Sequence, residues 1–168
     1  MKRLYILRHA KSDWSDPGLD DFDRGLKKRG KNDIKLISLW LKKHNVKPDF
    51  VISSPAKRAK KTLEVLRDIL NIKNEIIKFD PNIYEANVKY LVDMLSKLDN
   101  SKKKVFLIGH NPSINDLAEF FSDTIITNIP TSGVIAIEFD INRWNEIKRK
   151  RGNIIFFEYP KKLKKVEN

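Results

Sequence analysis

Three short stretches of this chain carry residues able to do chemistry, and each follows an apolar run. They are Arg8-His9-Ala10-Lys11-Ser12, Ser53-Ser54-Pro55-Ala56-Lys57-Arg58-Ala59 and Gly109-His110-Asn111-Pro112. In the second and third a polar residue precedes a proline, the pattern of a helix cap followed by a first helical residue that needs no N–H donor. On this reading Ser54 and Asn111 cap helices, Arg58 sits one turn inside its helix, and His110 is held at a strand-to-helix junction.

Helix N-termini present free backbone N–H groups and a partial positive charge, so an oxyanion above them is favoured before any side chain contributes. Two arginines can grip three non-bridging phosphate oxygens with planar forks of donors and leave the in-line direction open. A neutral imidazole is nucleophilic near pH 7 and forms a labile phosphorylated intermediate, which divides one difficult displacement into two easier ones. Phosphoryl transfer is therefore the chemistry these residue types fit. The chain has no cysteine, which excludes a disulfide framework, a thiolate nucleophile and a thiolate metal site. Asp20, Asp21 and Asp23 lack the glycine and terminal glutamate of a calcium loop, and two histidines alone do not make a zinc site, so no metal is expected. Gly109 through Ser113 is no serine-hydrolase elbow, because the serine is not set between glycines.

Such residues act together only if regular elements bring them to one place. Apolar runs rich in β-formers occupy residues 3–8, 49–53, 75–79, 104–109, 134–139 and 153–159, which predicts six strands. Between them, Ile34, Ile37, Trp40 and Leu41 share a helical face, as do Leu63, Leu66 and Leu70, and then Leu91, Leu95 and Leu98; a further helix is expected over 113–121. This alternation predicts an α/β three-layer sandwich, with a largely parallel central sheet flanked by helices on both faces and the last two strands able to pair as an antiparallel ribbon. In an open parallel sheet ligands bind beyond the carboxyl ends of the strands, where the three stretches stand. The acidic, turn-rich segment 13–24 reads as a surface loop bordering that end.

A length of 168 residues suits one domain, able to bury roughly 70% of the surface exposed by its unfolded chain. We expect that domain over residues 1–160, followed by a basic C-terminal tail, 161–168. The balance of 40% hydrophobic and 33% charged residues is that of a soluble protein, and no apolar run spans a bilayer. Met1-Lys2-Arg3 runs straight into a short apolar stretch and then charge, unlike a signal peptide, so a cytoplasmic location is expected. The net charge of +12 favours anionic partners. Its basic runs, Lys102-Lys103-Lys104, Lys148-Arg149-Lys150-Arg151, Lys161-Lys162 and Lys164-Lys165, read as a solvated surface, because no aromatic residues are interleaved with them for nucleic-acid stacking. Trp40 lies on an apolar helical face and Trp144 before a strand, both as packing residues, while Trp14 flanks the entrance; His44 is a surface residue at a helix C-terminus.

In their order and placement these motifs resemble the histidine phosphatase superfamily, which includes the cofactor-dependent phosphoglycerate mutases. The Arg-His-Gly signature of that superfamily stands here as Arg8-His9-Ala10. The likeness is greatest to the small bacterial phosphohistidine phosphatases of the SixA type, through Arg8 to Ser12, Asp23-Arg24-Gly25-Leu26 with Arg29-Gly30, Ser53-Ser54-Pro55 with Arg58-Ala59, and Gly109 to Pro112. The resemblance implies a phosphoglycerate mutase-like fold, phosphorylation of His9, binding of the phosphoryl group by Arg8, Arg58 and His110, and no metal or organic cofactor. Larger superfamily members lid the pocket with long insertions, for which this chain has little room. A phosphohistidine on a protein is thus the leading substrate expectation, with a small phosphate ester as the other.

Two further positions follow from the same resemblance. Glu85, in Ile83-Tyr84-Glu85-Ala86, resembles the acidic position of the mutases and is the candidate proton donor to the leaving group, ahead of Asp13, Asp16 and Asp20. Ser12 follows the signature histidine and is expected to donate to a phosphate oxygen or to cap the local backbone. Ala10 adds a methyl group where the superfamily usually has glycine. The rival from another class is a basic anion- or nucleic-acid-binding module on the same fold without turnover.

Overall fold

The computed structural model describes residues 1–148 and 151–167. Six strands, β1 (Lys2–Arg8), β2 (Phe50–Ser53), β3 (Ile77–Phe79), β4 (Lys104–Gly109), β5 (Val134–Phe139) and β6 (Asn153–Glu158), form one sheet in the order β3-β2-β4-β1-β5-β6. The first four run parallel, while β5 is antiparallel to both β1 and β6. The expected ribbon of the last two strands is therefore present, and its β5 strand also closes the parallel half of the sheet.

Helices α1 (Lys28–Lys43), α2 (Lys57–Leu70), α3 (Val88–Ser96), α4 (Ser113–Ser122) and α5 (Pro160–Glu167) cover both faces. The two-residue alternation of a strand sorts the core: Leu4 and Ile6 of β1 pack with Leu107, Leu91 and Leu117 under α3 and α4. Tyr5 and Leu7 pack with Phe106, Ile37 and Leu66 under α1 and α2. Each fully buried Leu or Ile contributes about 1.5–3 kcal/mol, and burial on both faces explains why these strands read as continuous apolar runs. Trp144 is wholly buried and donates its indole N–H to the carbonyl of Lys102 at 2.7 Å, as a packing residue. Trp40 packs edge-on to Phe156, and His44 stacks on it.

Three local expectations change. Helix α2 starts at Lys57 with Ala56 in the cap position, so Pro55 lies outside the helix, and the Ser54 hydroxyl accepts the N–H of Ala56. Pro112 takes the cap position of α4, while the Asn111 amide turns away to donate to Asn128 and the carbonyl of Ile129. The stretch expected as a basic tail is helix α5: Leu163 is buried with Leu41 and Phe156, and Lys164 meets the buried carboxylate of Asp33 on α1 at 2.7 Å. Of the basic run at 148–151, Arg149 and Lys150 lie outside the described residues.

Candidate active site

Register decides what meets at the carboxyl end of the sheet. β4 lies between β1 and β2, with Arg8 opposite Gly109 and Ser53 opposite Ile108. The residues that follow, His9, His110 and Ser54, therefore leave the sheet side by side. Gly30, in the first turn of α1, lets that helix press on the β1 exit: a side chain there would collide with the carbonyl of Lys11, which accepts the N–H of Lys27. Thr62 of α2 ties the second element to the first. Its hydroxyl donates to the Arg58 carbonyl at 2.7 Å and accepts the Ala10 N–H at 2.8 Å. Ala10 is fully buried and lies outside the left-handed region, so this backbone does not require glycine.

His9 and His110 face each other with ring centroids 5.1 Å apart, and both are buried. Nδ1 of His9 donates to the Ala10 carbonyl at 2.8 Å, which leaves Nε2 with its lone pair, 3.3 Å from Nε of Arg58. Burial, reinforced by the surrounding cations, pushes the His9 imidazole down to about 3. Burial and then Arg58 push His110 down to about 4. Both rings are neutral at physiological pH, and His9 has the form a nucleophile requires. His110 places Nε2 2.7 Å from the Ser54 hydroxyl and Nδ1 3.4 Å from Nη2 of Arg58.

The arginines differ in their partners. Arg8 donates from Nη1 to the Ile129 carbonyl at 3.0 Å and buries its Nε without a partner. Desolvation and the charge of Arg58 lower its affinity for a proton. No carboxylate pairs with it among the described residues, and a guanidinium desolvated in this way favours an anion. Arg58, by contrast, pairs with Asp21, reaching its carbonyl at 2.7 Å and its carboxylate at 3.0 Å. Asp21 also accepts the Tyr84 hydroxyl, whose ring stands edge-on to His110. The acidic loop reaches the site because buried Arg24 gathers it, donating to the carbonyls of Asp16 and Leu19 at 2.8 Å under the ring of Trp14.

His9, Arg58 and His110 thus form one hydrogen-bonded group, and the charge of Arg8 acts on it. Two candidates stand outside. The Ser12 hydroxyl accepts the indole N–H of Trp14 at 2.9 Å, and Ser12 bridges Leu26. Glu85 is exposed beside a shallow depression with Pro81, Asn82 and Asn87. Sequence reasoning did not foresee Asp21 as the partner of Arg58, nor the roles of Tyr84, Thr62 and Ser54. Tyr84 had a signal in its position beside Glu85, whereas the others depend on contacts distant in sequence. Among the described residues, no three His, Asp or Glu side chains gather as a metal site, and no helix is long and apolar enough to cross a membrane.

Comparison with known proteins identifies the family and the fold. The model of the histidine phosphatase superfamily, branch 1, matches residues 4–113. The phosphohistidine phosphatase SixA of Escherichia coli is 28% identical over 143 residues, covering 82% of this chain and 86% of that protein. A crystal structure assigned as phosphohistidine phosphatase SixA from Agrobacterium tumefaciens superposes with a TM-score of 0.82 at 28% identity, covering 95% of this chain and 98% of that one. A protein histidine phosphatase SixA complexed with tungstate shares the fold, with a TM-score of 0.84 at 24% identity over 96% of this chain and 99% of that one.

Proposed function

Because this chain belongs to the histidine phosphatase superfamily, we propose that it removes the phosphoryl group from phosphohistidine on a protein, by way of a phosphohistidine formed on His9. The observation that carries this reading is the state of His9: neutral, with Nδ1–H fixed by the Ala10 carbonyl and the Nε2 lone pair turned to the Arg58 guanidinium.

Nε2 of His9 attacks phosphorus, and the bond from phosphorus to the substrate imidazole breaks. Arg8, Arg58 and His110 hold the non-bridging oxygens and stabilise their charge as it redistributes. The departing imidazole nitrogen takes a proton from solvent, so this substrate asks little of an acid. Water then attacks the phosphorus on His9, loses a proton to bulk water, and releases inorganic phosphate with His9 restored. No step calls on a metal or an organic cofactor.

A protein substrate is supported by what borders the site. The connection from β3 to β4 spends its residues on a short 3-10 turn and the nine-residue α3, leaving no long insertion over the histidines. The tungstate bound by the structurally similar SixA is a phosphate-shaped oxyanion, which matches the donors here. The SixA relatives are named for phosphohistidine.

The test is release of inorganic phosphate from a purified phosphohistidine-bearing protein, in parallel with a chromogenic phosphate monoester, by wild type and His9→Ala in the presence of a chelator. Wild type is expected to act in chelator, and His9→Ala to lose at least about a thousandfold. Equal rates would remove the nucleophile. Turnover of the monoester alone would replace the protein substrate with a small ester, and salt-sensitive oligonucleotide binding without any turnover would favour the binding module.

A further inference from the structure

We infer that Phe22, backed by Tyr84, is a specificity-determining residue that selects an aromatic leaving group: its ring packs against the imidazole of the incoming phosphohistidine. This role rests on the reading of His9 as the acceptor of a phosphoryl group.

Four rings run from the buried floor of the site to the surface. The centroids of His9 and His110 are 5.1 Å apart, those of His110 and Tyr84 5.3 Å, and those of Tyr84 and Phe22 5.1 Å. Each histidine is 6% exposed, Tyr84 is half-buried and Phe22 is 39% exposed, so the series ends in an aromatic ring that solvent reaches. Phe22 directly follows Asp21, whose carbonyl and carboxylate both meet Arg58. Tyr84 donates its hydroxyl to the same carboxylate, and the Arg58 guanidinium lies 5.8 Å from the centre of its ring. The edge-to-face pair is therefore tied to the guanidinium whose Nε stands 3.3 Å from Nε2 of His9.

Phosphoryl transfer needs the attacking and departing atoms in line. With His9 at the floor, phosphorus comes to about 3–3.5 Å from its Nε2, and the departing nitrogen stands on the far side, away from the core. Phe22 and Tyr84 border that outward side. An imidazole brings a planar ring, and contact between rings stabilises beyond the area that it buries; ammonia leaving the same phosphorus offers no such surface. The other large exposed aromatic rings are engaged or placed elsewhere. Trp14 covers the Arg24 guanidinium and gives its N–H to Ser12, Phe79 lies beside Lys60 on the edge strand β3, and Phe120 is on α4. The 3-10 turn Asp21–Asp23 buries none of its residues, so a substitution at Phe22 leaves the core intact.

The experiment compares two small phosphorus–nitrogen compounds that differ in the ring, phosphoimidazole and phosphoramidate, by release of inorganic phosphate with the full-length protein. The quantity read is the ratio of kcat/KM for the first to that for the second. Phe22→Leu, which keeps apolar bulk and removes the ring, is expected to lower the ratio about fivefold. Phe22→Tyr, which keeps the ring, is expected to hold it within about twofold of wild type. An unchanged ratio in Phe22→Leu overturns the inference, and so does an equal loss on both compounds, which would mean that Phe22 only holds the loop carrying Asp21. A ratio that falls as far in Phe22→Tyr as in Phe22→Leu overturns it as well. Wild-type turnover that His9→Ala abolishes supports the phosphatase reading whatever the ratios do, so each of these failures leaves that reading standing. Absence of wild-type turnover on both compounds overturns the reading and the role of Phe22 together.

Discussion

Asp21 meets Arg58 twice, accepting from Nη1 at its carbonyl and from Nη2 at its carboxylate, at 2.7 and 3.0 Å. The carboxylate is held below the usual range first by the Tyr84 hydroxyl and then by Arg58, against the opposing effect of burial. A residue of the acidic loop thus occupies donors that the proposed mechanism assigns to the phosphoryl group. Asp21 is half exposed, and pairs of this kind are worth about 0.2–1 kcal/mol. Asp21→Ala is accordingly expected to tighten binding of inorganic phosphate by up to about fivefold, measured by calorimetry. Weaker binding would mean that Asp21 aligns Arg58 and does not compete for it.

The buried histidines make the fold sensitive to acid. Their ordinary value is 6.5, and burial lowers them to about 3 for His9 and about 4 for His110. Between those limits the unfolded chain binds protons that the folded chain refuses, so the stabilisation is complete above pH 6.5 and is lost as pH falls toward the folded values. Urea denaturation is expected to show a loss of roughly 2–4 kcal/mol between pH 7 and about pH 5 from these two rings. Their ring proton resonances should stay fixed across the same range. Titration of either ring near 6.5 would refute its burial as a neutral group.

Glu85 is separated from the cluster by exposure, and its part as an acid depends on the leaving group. An imidazole leaving a phosphorus–nitrogen bond needs little help, whereas a poor alkoxide leaving group needs a proton. Glu85→Gln should turn over phosphohistidine protein within about twofold of wild type and slow alkyl phosphate monoesters by about tenfold or more. Equal insensitivity to both substrates excludes Glu85 as the donor.

Helix α5 contributes stability without touching the site. Leu163 is buried against the core under α1 and α2, and Lys164 pairs with buried Asp33. Leu163→Ala is expected to cost about 2 kcal/mol or more, read as a lower urea midpoint, with kcat unchanged below the transition. No change in the midpoint would return this segment to the status of an appended tail.

Much of the site could be read in one dimension because a parallel sheet puts its chemistry where strands end. An arginine and two histidines at such ends, with Arg58 just inside a helix, are visible as residue types at element boundaries. The apolar runs rich in β-formers likewise announced strands, and their alternation with helical patterns announced two covered faces. It did not announce that β5 runs antiparallel beside β1, since a run buried on both faces looks the same in either direction. Prolines at 55 and 112 pointed to helix starts, but each lies just before its helix, because Ala56 and Pro112 hold the cap positions.

What the chain's order determined, then, is the inventory: a cysteine-free set of cationic and imidazole groups at three strand exits, suited to phosphate. Tertiary structure alone decided how each group is tuned. Ser54 reaches His110 across 56 positions, Asp21 reaches Arg58 across 37, and Thr62 joins Ala10 across 52. A hydrogen bond depends on distances of a few ångströms between folded segments, which no local pattern of residues encodes. Burial, which makes both histidines neutral, is likewise a property of the packed layers.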